Sequence, residues 1–133
     1  MSVHELKVRV YYEDTDAAGI VYYANYLRFA ERGRTEMLRD AGFEHAQIFK
    51  DEGIAFAVVN ATVSYKAPAK IDDLLVIKSK IIRVGGASME MQQDVYRDDK
   101  LINEMKITLV CVDRNLKAVR LPTEVRKIFE AEV

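Results

Sequence analysis

Three carboxylates stand close together in the run Glu13-Asp14-Thr15-Asp16, just ahead of a stretch with helical periodicity. A carboxylate can attack an acyl carbon as a nucleophile, or it can take a proton from a water that does so. The N-terminus of a helix offers the complement, N–H groups without intrahelical partners and a partial positive charge. A carbonyl held between the two is attacked from one side and polarised from the other, which is what acyl transfer requires. The segment from Tyr11 to Phe43 therefore carries both halves of a reactive site. On residue type alone, Asp16 is either a cap or a catalyst. Glu13 and Asp14 read as acids that shape the loop or cap the helix.

The elements that must hold this site follow from the periodicity. Leu6, Val8 and Val10 alternate with Lys7 and Arg9, so a strand enters the acidic loop at about Tyr12. After Ala17-Ala18-Gly19 and a short extended approach, a helix runs from near Ala24 to about Ala41, where Gly42 stops it. Its apolar line is Ala30, Gly33, Met37 and Ala41, widened by Tyr26, Leu27, Phe29 and Leu38. Gly33 costs a helix about 1 kcal/mol against alanine, so the backbone of another element is expected close by. Residues 43–53 hold one or two further helical turns. From Ile54 to Tyr65 the period becomes two, with apolar residues on both faces at the start, which predicts a central strand. Strands follow over Leu74–Val84, Ala87–Arg97 and Leu101–Val112, joined by turns at Gly85-Gly86 and Asp98-Asp99. Pro122 opens a last helix with Val125, Ile128 and Phe129 on its apolar side.

The expected fold is α+β: a single domain over residues 1–133, with an antiparallel sheet of five or six strands curled around one long helix. A helix of about 18 residues is about 27 Å long and covers one sheet face. The remaining edge and face call for a second copy of the chain.

Composition narrows the function. With 133 residues and 50% hydrophobic content, the chain can build one core. Lys and Arg number 20 against 21 Asp and Glu, which gives no electrostatic case for nucleic acid or an anionic membrane. Cys111 is the one cysteine, so no intrachain disulfide forms; with only His4 and His45 beside it, no Cys/His metal site is expected. Cys111 lies in an apolar strand and reads as a buried thiol. The N-terminus lacks a signal-peptide pattern and no run approaches 18 apolar residues, so the expectation is a cytoplasmic protein without a membrane segment.

The run Glu13-Asp14-Thr15-Asp16-Ala17-Ala18-Gly19-Ile20-Val21-Tyr22-Tyr23-Ala24-Asn25-Tyr26 resembles the signature of the hotdog-fold thioesterases. It is most similar to the acyl-CoA thioesterases of the Tol–Pal-associated (YbgC) group, relatives of 4-hydroxybenzoyl-CoA thioesterase. Tyr65-Lys66-Ala67-Pro68-Ala69-Lys70-Ile71-Asp72-Asp73-Leu74-Leu75 and Gly85-Gly86-Ala87-Ser88 resemble two further segments at collinear spacing.

The resemblance implies a hotdog fold, a homo-oligomer that is at least a dimer and often a dimer of dimers, and an active site at the dimer interface. It implies hydrolysis of the thioester joining an acyl group to coenzyme A, or to the phosphopantetheine of acyl carrier protein. Coenzyme A would be part of the substrate, and no cofactor is implied. Asp16 takes the catalytic position and the backbone N–H of Tyr23 the carbonyl-polarising one. The Tol–Pal-associated group commonly has histidine at position 23, so tyrosine is a departure. Gly85 and Gly86 stand where the hydroxybenzoyl enzymes carry nucleotide-binding arginines, a contact that does not carry over.

Weaker candidates surround this pair. Ser88 and Lys66, with Lys70, Lys80 and Arg83 nearby in sequence, could hold pantetheine or phosphate, or be solvated hairpin residues. Asn60 could line the acyl slot or pair with neighbouring backbone. Glu31 is the rival carboxylate, since some hotdog enzymes place theirs on the central helix. Two other functions stay open: a non-catalytic acyl-thioester-binding scaffold, and a hotdog dehydratase, which usually needs a histidine that neither His4 nor His45 is placed to supply.

Overall fold

In the computed structural model, which describes residues 2–133, the first alternating stretch forms β1 (His4–Arg9), with Val8 buried and Lys7 and Arg9 exposed. The strand stops three residues earlier than its pattern predicts. Val10 is taken instead by the chain at 72–73, its N–H donating to the Asp73 carbonyl and its carbonyl accepting from the Asp72 N–H, both at 2.9 Å.

The long helix is α1 (Asn25–Asp40). Its C-terminus closes as a Schellman motif: Gly42, at φ +103°, donates to the Arg39 carbonyl, and Phe43 donates to the Leu38 carbonyl at 2.7 Å. Phe43 and Leu38 are both buried, the apolar contact that accompanies this cap. Tyr26, Phe29, Ala30, Gly33, Met37 and Leu38 form the buried face. Leu27 departs from expectation and is 39% exposed.

Then come α2 (His45–Glu52), β2 (Ala55–Tyr65), β3 (Leu74–Val84), β4 (Ser88–Arg97), β5 (Lys100–Val112) and α3 (Thr123–Glu130). The five strands form one antiparallel sheet in the order β1-β3-β4-β5-β2. A sheet of this kind with one long helix against it is the hotdog arrangement, at the five-stranded end of the expected range. The exception is β2. Its apolar run predicts a central strand, but among the described residues it is an edge strand, paired only with β5. Its apolar side chains are largely uncovered, with Val58 48% and Val59 59% exposed.

The helix α1 packs mainly over β1, β3 and β4, and it reaches β2 at the Tyr26–Tyr65 ring contact. Gly33 marks the tightest approach. A Cβ there would lie 2.8 Å from Ile77 Cγ2 and 3.0 Å from Ser79 Oγ, so sheet side chains, not backbone, claim the space. Beside it the buried Gln93 donates from Nε2 to the Ala30 carbonyl at 2.7 Å and to Ser79 Oγ at 2.9 Å, tying helix to sheet.

The other end of the sheet is closed by α3. Pro122 caps it, Val125 and Phe129 are buried, and Arg126 Nη2 donates to the Gly85 and Gly86 carbonyls of the β3–β4 turn. Cys111 is buried, and burial pushes its thiol pKa up. Among the described residues, no helix is long and apolar enough to cross a membrane.

Candidate active site

The acidic loop is built by its own hydrogen bonds. Tyr12–Asp14 forms a single 3-10 turn, closed by the Tyr11 N–H donating to Asp14 Oδ2 at 2.8 Å. Asp14 is buried, and its carbonyl accepts from the Tyr22 N–H at 2.9 Å and from Asn25 Nδ2 at 3.0 Å. Asp14 is therefore the loop-shaping acid its position suggests. Asp16 opens the next turn: its carbonyl accepts from Gly19, whose φ is +81°, and its N–H donates to Ile20. One carboxylate oxygen, Oδ1, accepts from the Ala18 N–H at 2.9 Å. The carboxylate does not cap α1. It is exposed and lines a hollow of ≈ 520 Å³ with Tyr12, Thr15, Ala17, Gly19 and Ile71.

A neighbouring cleft of ≈ 330 Å³, apolar in lining, holds Tyr23 with Ile20, Val21, Tyr26, Tyr65, Lys66, Ala67 and Pro68. The segment Gly19-Ile20 separates the two hollows, one residue lining each. The cleft wall is fixed by Val21 donating to the Ala69 carbonyl at 2.8 Å. Burial pushes the Tyr26 phenol pKa up, against a backbone hydrogen bond at Ala69 that pulls it down.

The helix entry faces this cleft. The N-cap Ala24 gives α1 no side-chain cap, and no acid occupies the first turn. The Tyr22 carbonyl accepts from the Asn25 N–H at 2.8 Å, so it points along the helix. In a trans peptide the N–H points opposite to the carbonyl. The Tyr23 N–H therefore points out from the helix N-terminus, in line with the dipole. Among the described residues it donates to no protein acceptor. The Tyr23 carbonyl accepts from the Tyr65 hydroxyl at 3.1 Å.

A family model of the thioesterase-like superfamily matches residues 10–129. The chain belongs to this superfamily. An acyl-CoA thioesterase YbgC of Haemophilus influenzae is 40% identical over 123 residues, covering 92% of this chain and 90% of that protein. An acyl-CoA thioester hydrolase YbgC of Escherichia coli is 45% identical over 125 residues, covering 92% of each. A solved structure, that of a probable thioesterase from Bartonella henselae, superposes with a TM-score of 0.88 at 38% identity, covering 91% of this chain and all of that one.

The other candidate residues of this thioesterase-superfamily chain divide by position. Lys66 shares the cleft with Tyr23. Asn60 does not: Ala61, Val63 and Tyr65 face the helix side with their β5 partners, which puts the exposed Asn60, paired with Thr108, on the opposite face. Ser88 begins β4 beside the Gly85 turn, at the sheet end away from Tyr65, which pairs with Asn103 near the start of β5. Arg83 sits 3.4 Å from Glu90. Glu31 lines a separate hollow of ≈ 250 Å³ with Arg34, Thr35, Leu38, His45, Phe56 and Leu109. Tyr65 joins the site without having been named as a site residue from the sequence; its signals there are its place on the inward face and at the head of the Tyr65–Leu75 segment that resembles the family.

Proposed function

We infer that this chain hydrolyses acyl-CoA thioesters, releasing a free acid and the thiol of coenzyme A. Family membership and the two YbgC relatives, named for that activity, support this. The observation that carries the chemistry is the Tyr23 N–H, aimed out of an uncapped helix end beside an apolar cleft.

In this reading Tyr23 N–H donates to the thioester carbonyl and stabilises the negative charge that forms there. Asp16 supplies the electron pair. Either its carboxylate bonds to the carbonyl carbon, the thiolate leaves with the C–S electrons, and water opens the mixed anhydride; or it takes a proton from a water whose oxygen bonds to that carbon, after which the C–S bond breaks and the thiolate leaves, taking up the proton. A thioester suits so small an apparatus, because thiolate is a good leaving group. The apolar cleft takes the acyl group.

The reading includes a homo-oligomer. The unpaired side of β2 is an apolar edge, a surface that pairs readily with another strand. Antiparallel pairing of β2 with its copy sets the Tyr65 end of one strand beside the Ala55 end of the other. The Ala55 end is flanked through β5 by the start of β4, so in this arrangement the neighbouring copy's Ser88, not the chain's own, is the one on the Tyr65 side of the sheet.

The test is a panel of acyl-CoA and acyl carrier protein thioesters, with free thiol as the readout, on wild type and Asp16→Asn. Asparagine still accepts the Ala18 N–H, so the loop stays in place and the rate reports on the charge. The expected loss is at least about a hundredfold in kcat. Equal rates remove Asp16 from the mechanism; retained ligand with no turnover in either protein makes the chain a binding module.

A further inference from the structure

We propose that Tyr65 is a positioning residue for the reaction: its hydroxyl locks the helix-entry peptide that presents the Tyr23 N–H. This rests on the reading of Tyr23 as the carbonyl-polarising donor.

The argument begins with a carbonyl that the helix does not use. At a helix start, the carbonyl just before the N-cap can accept from the first turns. Here the Leu27 N–H goes to Ala24 at 3.2 Å, and among the described residues no backbone N–H reaches the Tyr23 carbonyl. Its protein partner is the Tyr65 hydroxyl, at 3.1 Å, from 42 residues away on the edge strand β2.

The two peptides flanking the Tyr23 Cα are thus held by different means. The Asn25 N–H fixes the one that carries the Tyr23 N–H, and Tyr65 fixes the one that carries the Tyr23 carbonyl. Without the second anchor, rotation at Tyr23 is restrained from one side only. The aim of an oxyanion donor matters on the scale of tenths of an ångström.

The Tyr65 ring adds to the anchor. It meets Tyr23 edge-on at 6.3 Å between centroids and Tyr26 at 5.8 Å. Its place as the last residue of β2 also joins the donor to the strand whose outer edge is free in the single chain.

Tyr65→Phe keeps the ring contacts and removes only the hydroxyl. The measurements are kcat and KM on an acyl-CoA substrate, and the infrared carbonyl stretch of a bound ketone analogue in which methylene replaces the thioester sulfur. The expected result is a fall of about tenfold in kcat, KM within about twofold of wild type, and a smaller red shift of the bound carbonyl than wild type gives. Unchanged kcat and red shift overturn the proposal, and so does a fall in kcat with the red shift intact. A wild type that turns over substrate yet gives no red shift overturns the Tyr23 donor reading and this inference with it. A wild type without turnover of any acyl thioester overturns the function.

Discussion

The side chain of Asn25 donates to the main-chain carbonyl of Asp14 at 3.0 Å, and this single bond ties the first residue of the long helix to the acidic loop. Both residues are buried. Asn25→Asp separates two opposing effects. A negative charge in the first helical turn contributes about 0.3–1 kcal/mol of stability. Against it, the donor is lost and an oxygen faces a carbonyl oxygen in a buried place, at a cost of about 1–3 kcal/mol. The second effect is the larger, so the variant loses about 1–2 kcal/mol in urea unfolding and turns over more slowly as the loop loosens. A midpoint equal to wild type would mean that the loop holds its shape without this bond.

Gly33→Ala sets helix propensity against space. Alanine in a helix is favoured over glycine by about 1 kcal/mol. Its Cβ would lie 2.8 Å from Ile77 Cγ2, a methyl in the fully buried core, and 3.0 Å from Ser79 Oγ. Overpacking of this kind costs about 1–3 kcal/mol, and the Gln93 bond to the Ala30 carbonyl sits in the same crowded place. The expected net change is destabilising, seen as a lower thermal midpoint. A higher midpoint would show that the sheet yields there.

Much of this was legible in residue order, and the failures have physical causes. The Ala30–Gly33–Met37 line marks the buried helix face because a helix repeats every 3.6 residues, and Gly42 marks the stop because a Schellman cap needs a positive φ. Apolar residues on both faces of β2 misled. Apolarity says that a strand is covered somewhere, not that the cover comes from its own chain, so an edge awaiting a copy looks like a centre. Leu27 misled for a related reason: it lies on the rim of the apolar stripe, where one more residue of turn brings it to solvent. At the site, the motif points to Asp16 and Tyr23, yet the two lie in adjacent hollows of one chain. Tyr65 was hidden because its partner is a main-chain carbonyl 42 residues away, and main-chain atoms leave no mark in residue identity.

His45 makes stability depend on pH. Burial lowers its pKa below the ordinary 6.5, opposed by Glu31, which raises it, and aided by Arg34 and Arg39. The folded state thus binds the proton more weakly than the unfolded state. The contribution of His45 is complete above about 6.5 and is lost as the pH falls from there through the folded-state value. His45→Gln has no such titration. The difference in urea midpoint between wild type and His45→Gln is therefore expected to move against wild type between pH 7.5 and 5.5. A difference that stays constant would remove His45 from the linkage.

The edge of β2 is tested by placing a charge on it. Val59 is 59% exposed at the point where the β2–β5 register shifts, and lysine on an edge strand is a recognised block to strand addition. Within one chain Val59→Lys puts the ammonium into water and costs the fold little. In the proposed oligomer it buries one charge near the strand centre and, by two-fold symmetry, a second like charge close to it. Light scattering is expected to give a multiple of 15.2 kDa for wild type and a shift toward 15.2 kDa for the variant. Turnover is expected to fall with assembly, since Ser88 lies at the far end of its own sheet and Asp16 is open to solvent in the single chain. A monomeric variant with full activity would place the whole reaction within one copy and leave the edge without a part in it.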